Sequence, residues 1–346
     1  MAITACWMLL ASAEGCGNAD SEPPAPTANE VVVYTALDRE FSEALLDDFT
    51  GETGVEALPK FDTESTKSVG LAEAISREAA RPRADVYWNN EILNTLRLAR
   101  AGLLEPYVPT RGAEFPQQYR SPDGLWHGFA ARARVLIVNT DLVPNEEFPD
   151  SIHDLTDPKW AGRAAMAKPL FGTTATHAAC LFAQWGDERA KDFFRAAKAN
   201  GVQIMSGNKR VAQSVAGGTA AFGLTDTDDA MVEIEKGMPV AIVYPDQQPR
   251  GDDEALGTLF IPNTLAIIRG GPNPQAARRL VDWLLTPEIE GRLAAGPSAQ
   301  IPLHPDATAK PRVETPATVR AMSVDFERAA ESWESARTFI RDEFAG

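Results

Sequence analysis

Cysteine is scarce in this 346-residue sequence, with only Cys6, Cys16 and Cys180. One cysteine beyond the N-terminal stretch leaves nothing to build an internal disulfide or a thiolate metal site. The four histidines, His127, His153, His177 and His304, fall in different elements without metal-ligand spacing and are read as structural or surface groups. Basic residues number 33 against 49 acidic ones, and the formal charge of -16 excludes the clustered basic surface that nucleic acid requires. It also opposes binding to anionic lipid. No apolar run is long enough to span a membrane; Ile3 to Ala13 has only the length of a signal-peptide core. The sequence holds no G-x-S-x-G, H-E-x-x-H or G-x-x-x-x-G-K, and no nucleophile beside a base. A non-enzymatic role is expected, with a carboxylate-pair hydrolase as the alternative class.

What is present is a globular composition, 44% hydrophobic and 24% charged, at a length that predicts two α/β lobes. Val31 to Asp38 reads as a buried parallel strand running into a helix whose apolar face is Phe41, Leu45, Leu46 and Phe49. Strands at Val55 to Leu58 and Asp85 to Trp88, each followed by a helix, make three strand-loop-helix units whose loops emerge at one sheet edge. That edge is where open α/β sheets bind ligands. Ala130 to Asn139 is a longer strand, polar in its first half, which suits a crossing between lobes. Strands at Ala220 to Thr225 and Val240 to Tyr244 continue the α/β pattern, and Thr258 to Ile268 is expected to return into the first sheet. Asp325 to Phe344 reads as a final amphipathic helix.

The small residues before Cys16 and the loose run GNADSEPPAPTANE after it resemble a bacterial lipoprotein signal and tether, with Cys16 as the lipidated residue. Glu14 and the lack of any Lys or Arg before Arg39 depart from that pattern. Export to the periplasm with a lipid anchor is the expectation, with an ordinary N-terminal tail as the alternative. The division expected is 1–30 as leader and tether, 31–131 plus 245–305 as the first lobe, and 132–244 plus 306–346 as the second lobe with the C-terminal helix.

Several phrases in fixed order carry a resemblance: VVVYTALD with FSEALLDDFTGETGV, RADVYWNNE, ARAGLLEPY, GFAARARVLIVNT, DLTDPKWAGRAAMAKP and ARRLVDWLLTPEIEGRLA. From Val31 nearly to the C-terminus, the chain resembles the substrate-binding proteins of bacterial ABC importers, in the branch that includes the ferric-iron-binding proteins. The resemblance implies a two-lobe periplasmic-binding-protein fold, type II-like, with the ligand cleft between the lobes and closure by a hinge. It also implies an inner-membrane ABC permease as partner and no resident cofactor, with ferric iron and a synergistic anion, or a small anionic, phosphorylated or zwitterionic solute, as cargo. A monomer is expected, and a sensory receptor of the same fold is the alternative to transport.

In the iron-binding members the resemblance places a histidine on the first loop, an acid after the third strand and adjacent tyrosines after a second-lobe strand. Here those positions read Asp38, Asn90 or Glu91, and Thr227 with Asp228, so the paired phenolates are missing. Asp38, Glu91 and Asp228 are the candidate metal carboxylates; with Asp226 they could instead hold an organic ammonium against the face of Trp88. Asp38 and Asp226 also suit helix N-caps, and both readings stay open. Gly172, Thr173 and Thr174 are the anion candidate at a helix N-terminus, with capping by Thr173 as the plainer reading. Arg132 and Arg134 could add forked donors, one of the two being expected to point away. Thr35, Ser65, Thr66, Asn89 and Asn208 complete the expected ligand shell. Asp246 and Gln247 are placed in a late loop that could face the cleft.

Overall fold

The β-branched run Val31 to Val33 sets β1 (Glu30–Thr35), an inner strand of the first sheet in a computed structural model that describes residues 29–62, 68–251 and 254–344. α1 (Arg39–Thr53) buries Phe41, Leu45, Leu46 and Phe49, the face its spacing predicts, and ends at Gly54, whose φ of 70° closes the last turn. β2 (Glu56–Phe61) pairs parallel with β1, and so does β3 (Val86–Asn89) on its other side. α2 (Val69–Arg77) and α3 (Leu93–Arg100) complete three strand-helix units, which is why the C-terminal ends of β1, β2 and β3 share one edge. The short β4 (Leu104–Glu105) follows.

β5 (His127–Asn139) is buried along its whole length and joins the two halves. Its first part, through Ala133, pairs with β10 (Phe260–Ile268), which in turn pairs with β3, so the late strand does return to the first sheet. From Arg134 onward it pairs instead with β8 (Phe222–Asp226) and with β9 (Val240–Val243). Beyond β8 lie β6 (Ala164–Ala167) and β7 (Gln203–Met205), giving the path β2-β1-β3-β10-β5-β8-β6-β7. Two α/β halves therefore share one strand that changes partners between Ala133 and Arg134. Near that change Ala130 holds a φ of 44°, its N–H donated to the buried Glu290 carboxylate at 2.6 Å.

The second half carries α4 (Gly172–Trp185), α5 (Asp187–Ala199), α6 (Asn208–Ala216) and α7 (Thr227–Glu235). α8 (Pro274–Leu284) and α9 (Pro287–Ala295) pack on the first half, Thr286 capping α9 through the Ile289 N–H. α10 (Phe326–Phe339) starts at Asp325, whose carboxylate accepts the Arg328 N–H, and packs on α4 and α3. No described helix is long and apolar enough to cross a membrane.

Candidate functional site

Five of the expected residues meet at the partner change in β5: Arg134, Asp226, Thr173, Thr174 and Asn208. Arg134 and Asp226 are register partners on β5 and β8, and their side chains pair at 2.7 Å. Arg134 also donates to Thr173 Oγ1 and Thr174 Oγ1, each at 3.2 Å. Thr173 donates to Asp226 Oδ2 at 2.5 Å, and Asn208 Nδ2 donates to that oxygen at 2.9 Å and to Thr173 at 2.8 Å. Thr174 donates to Asn208 Oδ1 at 2.9 Å. Burial disfavours the Asp226 anion, yet Arg134 and Arg132 outweigh it and hold the carboxyl below its ordinary range.

Both arginines turn into this cluster, against the expectation that one would point away. Residues two apart on a strand share a face, and enough carboxylate lies there for both. Arg132 donates to Asp228 Oδ2 at 3.2 Å and to the Asn90 carbonyl. Burial works against its charge, but Asp228 and Asp226 strengthen its hold on the proton.

The capping readings give way for Asp226 and Thr173. Asp226 occupies the N-cap position of α7 without a side-chain capping bond, because its oxygens serve Arg134, Thr173 and Asn208. Thr173 is the second residue of α4, whose N-cap is Phe171, and its hydroxyl donates to Asp226. Asp38 sits at the N-cap of α1, half-buried and likewise without a capping bond. Thr227 Oγ1 accepts the Ala133 N–H at 3.2 Å, which fixes it to β5.

The metal set of Asp38, Glu91 and Asp228 is not assembled. Glu91 accepts hydrogen bonds from Asn89 Nδ2 at 2.8 Å, from the Leu93 and Asn94 N–H groups, from Asn94 Nδ2 at 2.9 Å and from Thr176 Oγ1 at 2.8 Å. Those donors occupy both oxygens, so the carboxylate terminates α3 and ties it to α4 in the other half. Among the described residues the carboxylates within mutual metal reach here are Asp226, Asp228 and Asp229, inside 4.8 Å of one another. Trp88 cannot offer a face to an ammonium, since it is fully buried against Phe129. Thr35 is buried at the end of β1. Asp246 and Gln247 lie elsewhere: Asp246 accepts the Ser151 hydroxyl at 2.5 Å, and Gln247 binds Thr258 and the Arg320 backbone. Ser65, Thr66 and Cys16 lie outside the described residues.

A pocket of about 20 Å³ opens beside the cluster, lined by Asn90, Lys168, Gly172, Thr173, Thr174, Ser206, Asn208, Asp226 and Asp229 among others. That space suits roughly one water or one ligand atom, so the two halves are drawn close around it. α4 and α6 both begin at this pocket, and helix N-termini present free N–H groups and a positive dipole end. Lys168, Ser206 and Asp229 escaped the sequence reading. Lys168 follows β6 directly, and recognising β6 as a strand would have placed it on the ligand edge. Contacts that cross between the halves near the pocket include Thr176 to Glu91, Arg132 to the Asn90 carbonyl, and the Lys209–Glu40 ion pair at 2.8 Å.

Two α/β halves sharing a crossing strand, with polar loop ends gathered at the change of sheet, define a two-lobe binding protein of the periplasmic type. A model of the family described as bacterial extracellular solute-binding protein matches residues 95–329. The chain belongs to that family, in the branch that includes the ferric-iron-binding proteins. It is 27% identical over 295 residues to Iron uptake protein A1 of Synechocystis sp., covering 81% of this chain and 78% of the relative. It is 25% identical to the Major ferric iron-binding protein of Neisseria meningitidis serogroup B, covering 90% and 92%. Iron-bound HitA from Pseudomonas aeruginosa superposes with a TM-score of 0.80 at 25% identity, over 92% of this chain and 99% of that one. AfuA from Actinobacillus pleuropneumoniae, with fructose-6-phosphate bound, gives 0.80 at 23% identity over 91% and 98%, a likeness of fold. The family and these relatives are solute-binding proteins, in line with a non-enzymatic chain.

Proposed function

We propose that the protein is the periplasmic receptor of an ABC importer and that its cargo presents an oxyanion to the N-termini of α4 and α6. The two lobes, 31–131 with 245–305 and 132–244 with 306–346, close on the cargo about β5 and pass it to an inner-membrane permease. No bond of the cargo changes; capture works by stronger contacts in the closed state than in the open one. The supporting observation is that two helix N-termini and Lys168 line one pocket in which the acid Asp226 already has an arginine partner, as does the neighbouring Asp228. Such a pocket favours negative charge on the cargo.

Ferric iron with a synergistic anion is the second reading, favoured by the spacing of Asp226, Asp228 and Asp229 and by the iron-binding relatives. Iron would have to take Asp226 and Asp228 from Arg134 and Arg132, because a hard trivalent ion needs anionic oxygen donors. Thermal-shift screening against phosphate esters, phosphonates, carboxylates and ferric citrate separates the readings. Stabilisation by organic oxyanions without iron is expected, and a response confined to ferric citrate would overturn the proposal.

A further inference from the structure

Thr173, Thr174 and Asn208 line the pocket, yet the protein itself takes every hydrogen that their side chains can donate. Asn208 Nδ2 gives one hydrogen to Thr173 Oγ1 at 2.8 Å and the other to Asp226 Oδ2 at 2.9 Å. The Thr173 hydroxyl donates to Asp226, and the Thr174 hydroxyl donates to Asn208 Oδ1. A threonine has one such hydrogen and a carboxamide two, so none of the three keeps a donor for cargo. The direction of the Asn208 amide is fixed as well. Turned over, its oxygen would face the Asp226 carboxylate, acceptor against acceptor.

Main-chain groups and Lys168 are then left to meet an oxyanion. The Ala175 N–H reaches the Phe171 carbonyl and the Val211 N–H reaches the Gly207 carbonyl, so the N–H groups of 172–174 and 208–210 precede the helical ladders. Asn208 decides where those two sets stand. It is the first residue of α6, its side chain holds both Thr173 and Thr174 of α4, and its carbonyl accepts the Thr225 hydroxyl of β8 at 3.1 Å.

Resting on the oxyanion reading above, we propose that Asn208 is a positioning residue that touches no cargo atom. It sets the start of α6 beside the start of α4, so that both helices present main-chain N–H groups to the same space of about 20 Å³, the size of one oxyanion oxygen. Lys168 adds the charge.

The test is calorimetric titration of the wild-type protein, Asn208→Asp and Asn208→Leu at pH 5 and pH 8, with whichever of inorganic phosphate, sulfate and citrate the wild type binds most tightly. In Asn208→Asp a carboxyl group faces Asp226, and two carboxyls at that distance share a proton at low pH and repel at high pH. Dividing each affinity by the wild-type value at the same pH cancels the titration of the anion and of the groups the proteins share, Arg132, Arg134, Lys168 and His177 among them. Asn208→Asp should bind about tenfold or more weaker than wild type at pH 8 and within about threefold of it at pH 5. Asn208→Leu should be weaker by a similar factor at both. An Asn208→Asp deficit equal at both pH values overturns the proposal, because a side chain turned to cargo would stay an ordinary carboxylate throughout. Wild-type affinity in both variants overturns it too. A wild-type protein that binds none of the three anions removes the oxyanion reading and this inference with it. Should Asn208→Asp unfold at pH 8, melting curves from pH 5 to 7 read the same shared proton: the variant should lose stability relative to wild type as pH rises, and parallel curves overturn the proposal.

Discussion

Arg134 and Asp226 face each other across the β5–β8 register, 2.7 Å apart, with neither side chain more than 3% exposed. Two buried charges survive this because each has several partners: the guanidinium also meets two threonine hydroxyls, and the carboxylate also meets Thr173 and Asn208. The pair therefore fixes the start of α4 against β8, and with it the floor of the pocket.

Removing one partner strands the other. Arg134→Met should cost about 3–5 kcal/mol in urea denaturation by leaving Asp226 uncompensated in the core. The double variant Arg134→Met with Asp226→Leu should recover much of that loss. A single variant as stable as the parent would show that the pair does not organise the site.

Thr176 donates to Glu91 across the two lobes, so this bond exists only while they are together. Thr176→Val keeps the shape and deletes the donor. A hydrogen bond to a charged group contributes about 1.5–3 kcal/mol, so cargo affinity should fall about tenfold or more. Small-angle scattering should show a more open particle. Unchanged affinity and unchanged radius would remove the bond from the closure.

The Lys209–Glu40 pair also crosses between lobes, but it is exposed at the rim. Exposed pairs contribute about 0–1 kcal/mol and fade with salt. Lys209→Gln should weaken cargo binding by no more than about fivefold, and only at low ionic strength. A large, salt-independent loss would show that the pair contributes directly to the site.

Burial lifts the Asp246 carboxyl from its ordinary 3.8 to about 6, against the Ser151 and Ile152 hydrogen bonds that favour its anion. Between those values the folded chain holds more protons at this group than the unfolded chain, so its contribution to stability falls as pH rises from about 3.8 to 6. Asp246 has a φ of 63°, which asparagine tolerates, so Asp246→Asn is a clean substitution. Melting curves across pH 4 to 7 should show the variant gaining on the parent as pH rises. Parallel curves would contradict the shift. His177 acts in the opposite sense, because burial and Arg134 lower it to about 3 and the folded state resists its protonation.

Much of this fold was legible because it is local. Val31 to Val33, the apolar face of α1 and the Thr286–Pro287 start of α9 follow from residue pattern alone. The crossing role of β5 was legible from its length and its half-polar, half-apolar pattern. The roles of the site acids were not. Asp226 looks like a helix cap because it precedes a helix, and only the register of β5 against β8 brings Arg134 to it. Glu91 looks like a metal ligand until α3 and Thr176 are seen to use both its oxygens. Asn89, Asn90 and Asn208 are common turn residues, and their exact partners depend on contacts more than thirty residues away in sequence for Asn208 with Thr174.

Titration of the wild-type protein and Lys168→Gln with inorganic phosphate, O-phosphoethanolamine and ferric citrate tests the central claim most directly. Saturable one-to-one binding of a free oxyanion is expected, weakened about tenfold or more in Lys168→Gln as a charged contact is lost. Binding of ferric citrate alone, equally tight in Lys168→Gln, would contradict it.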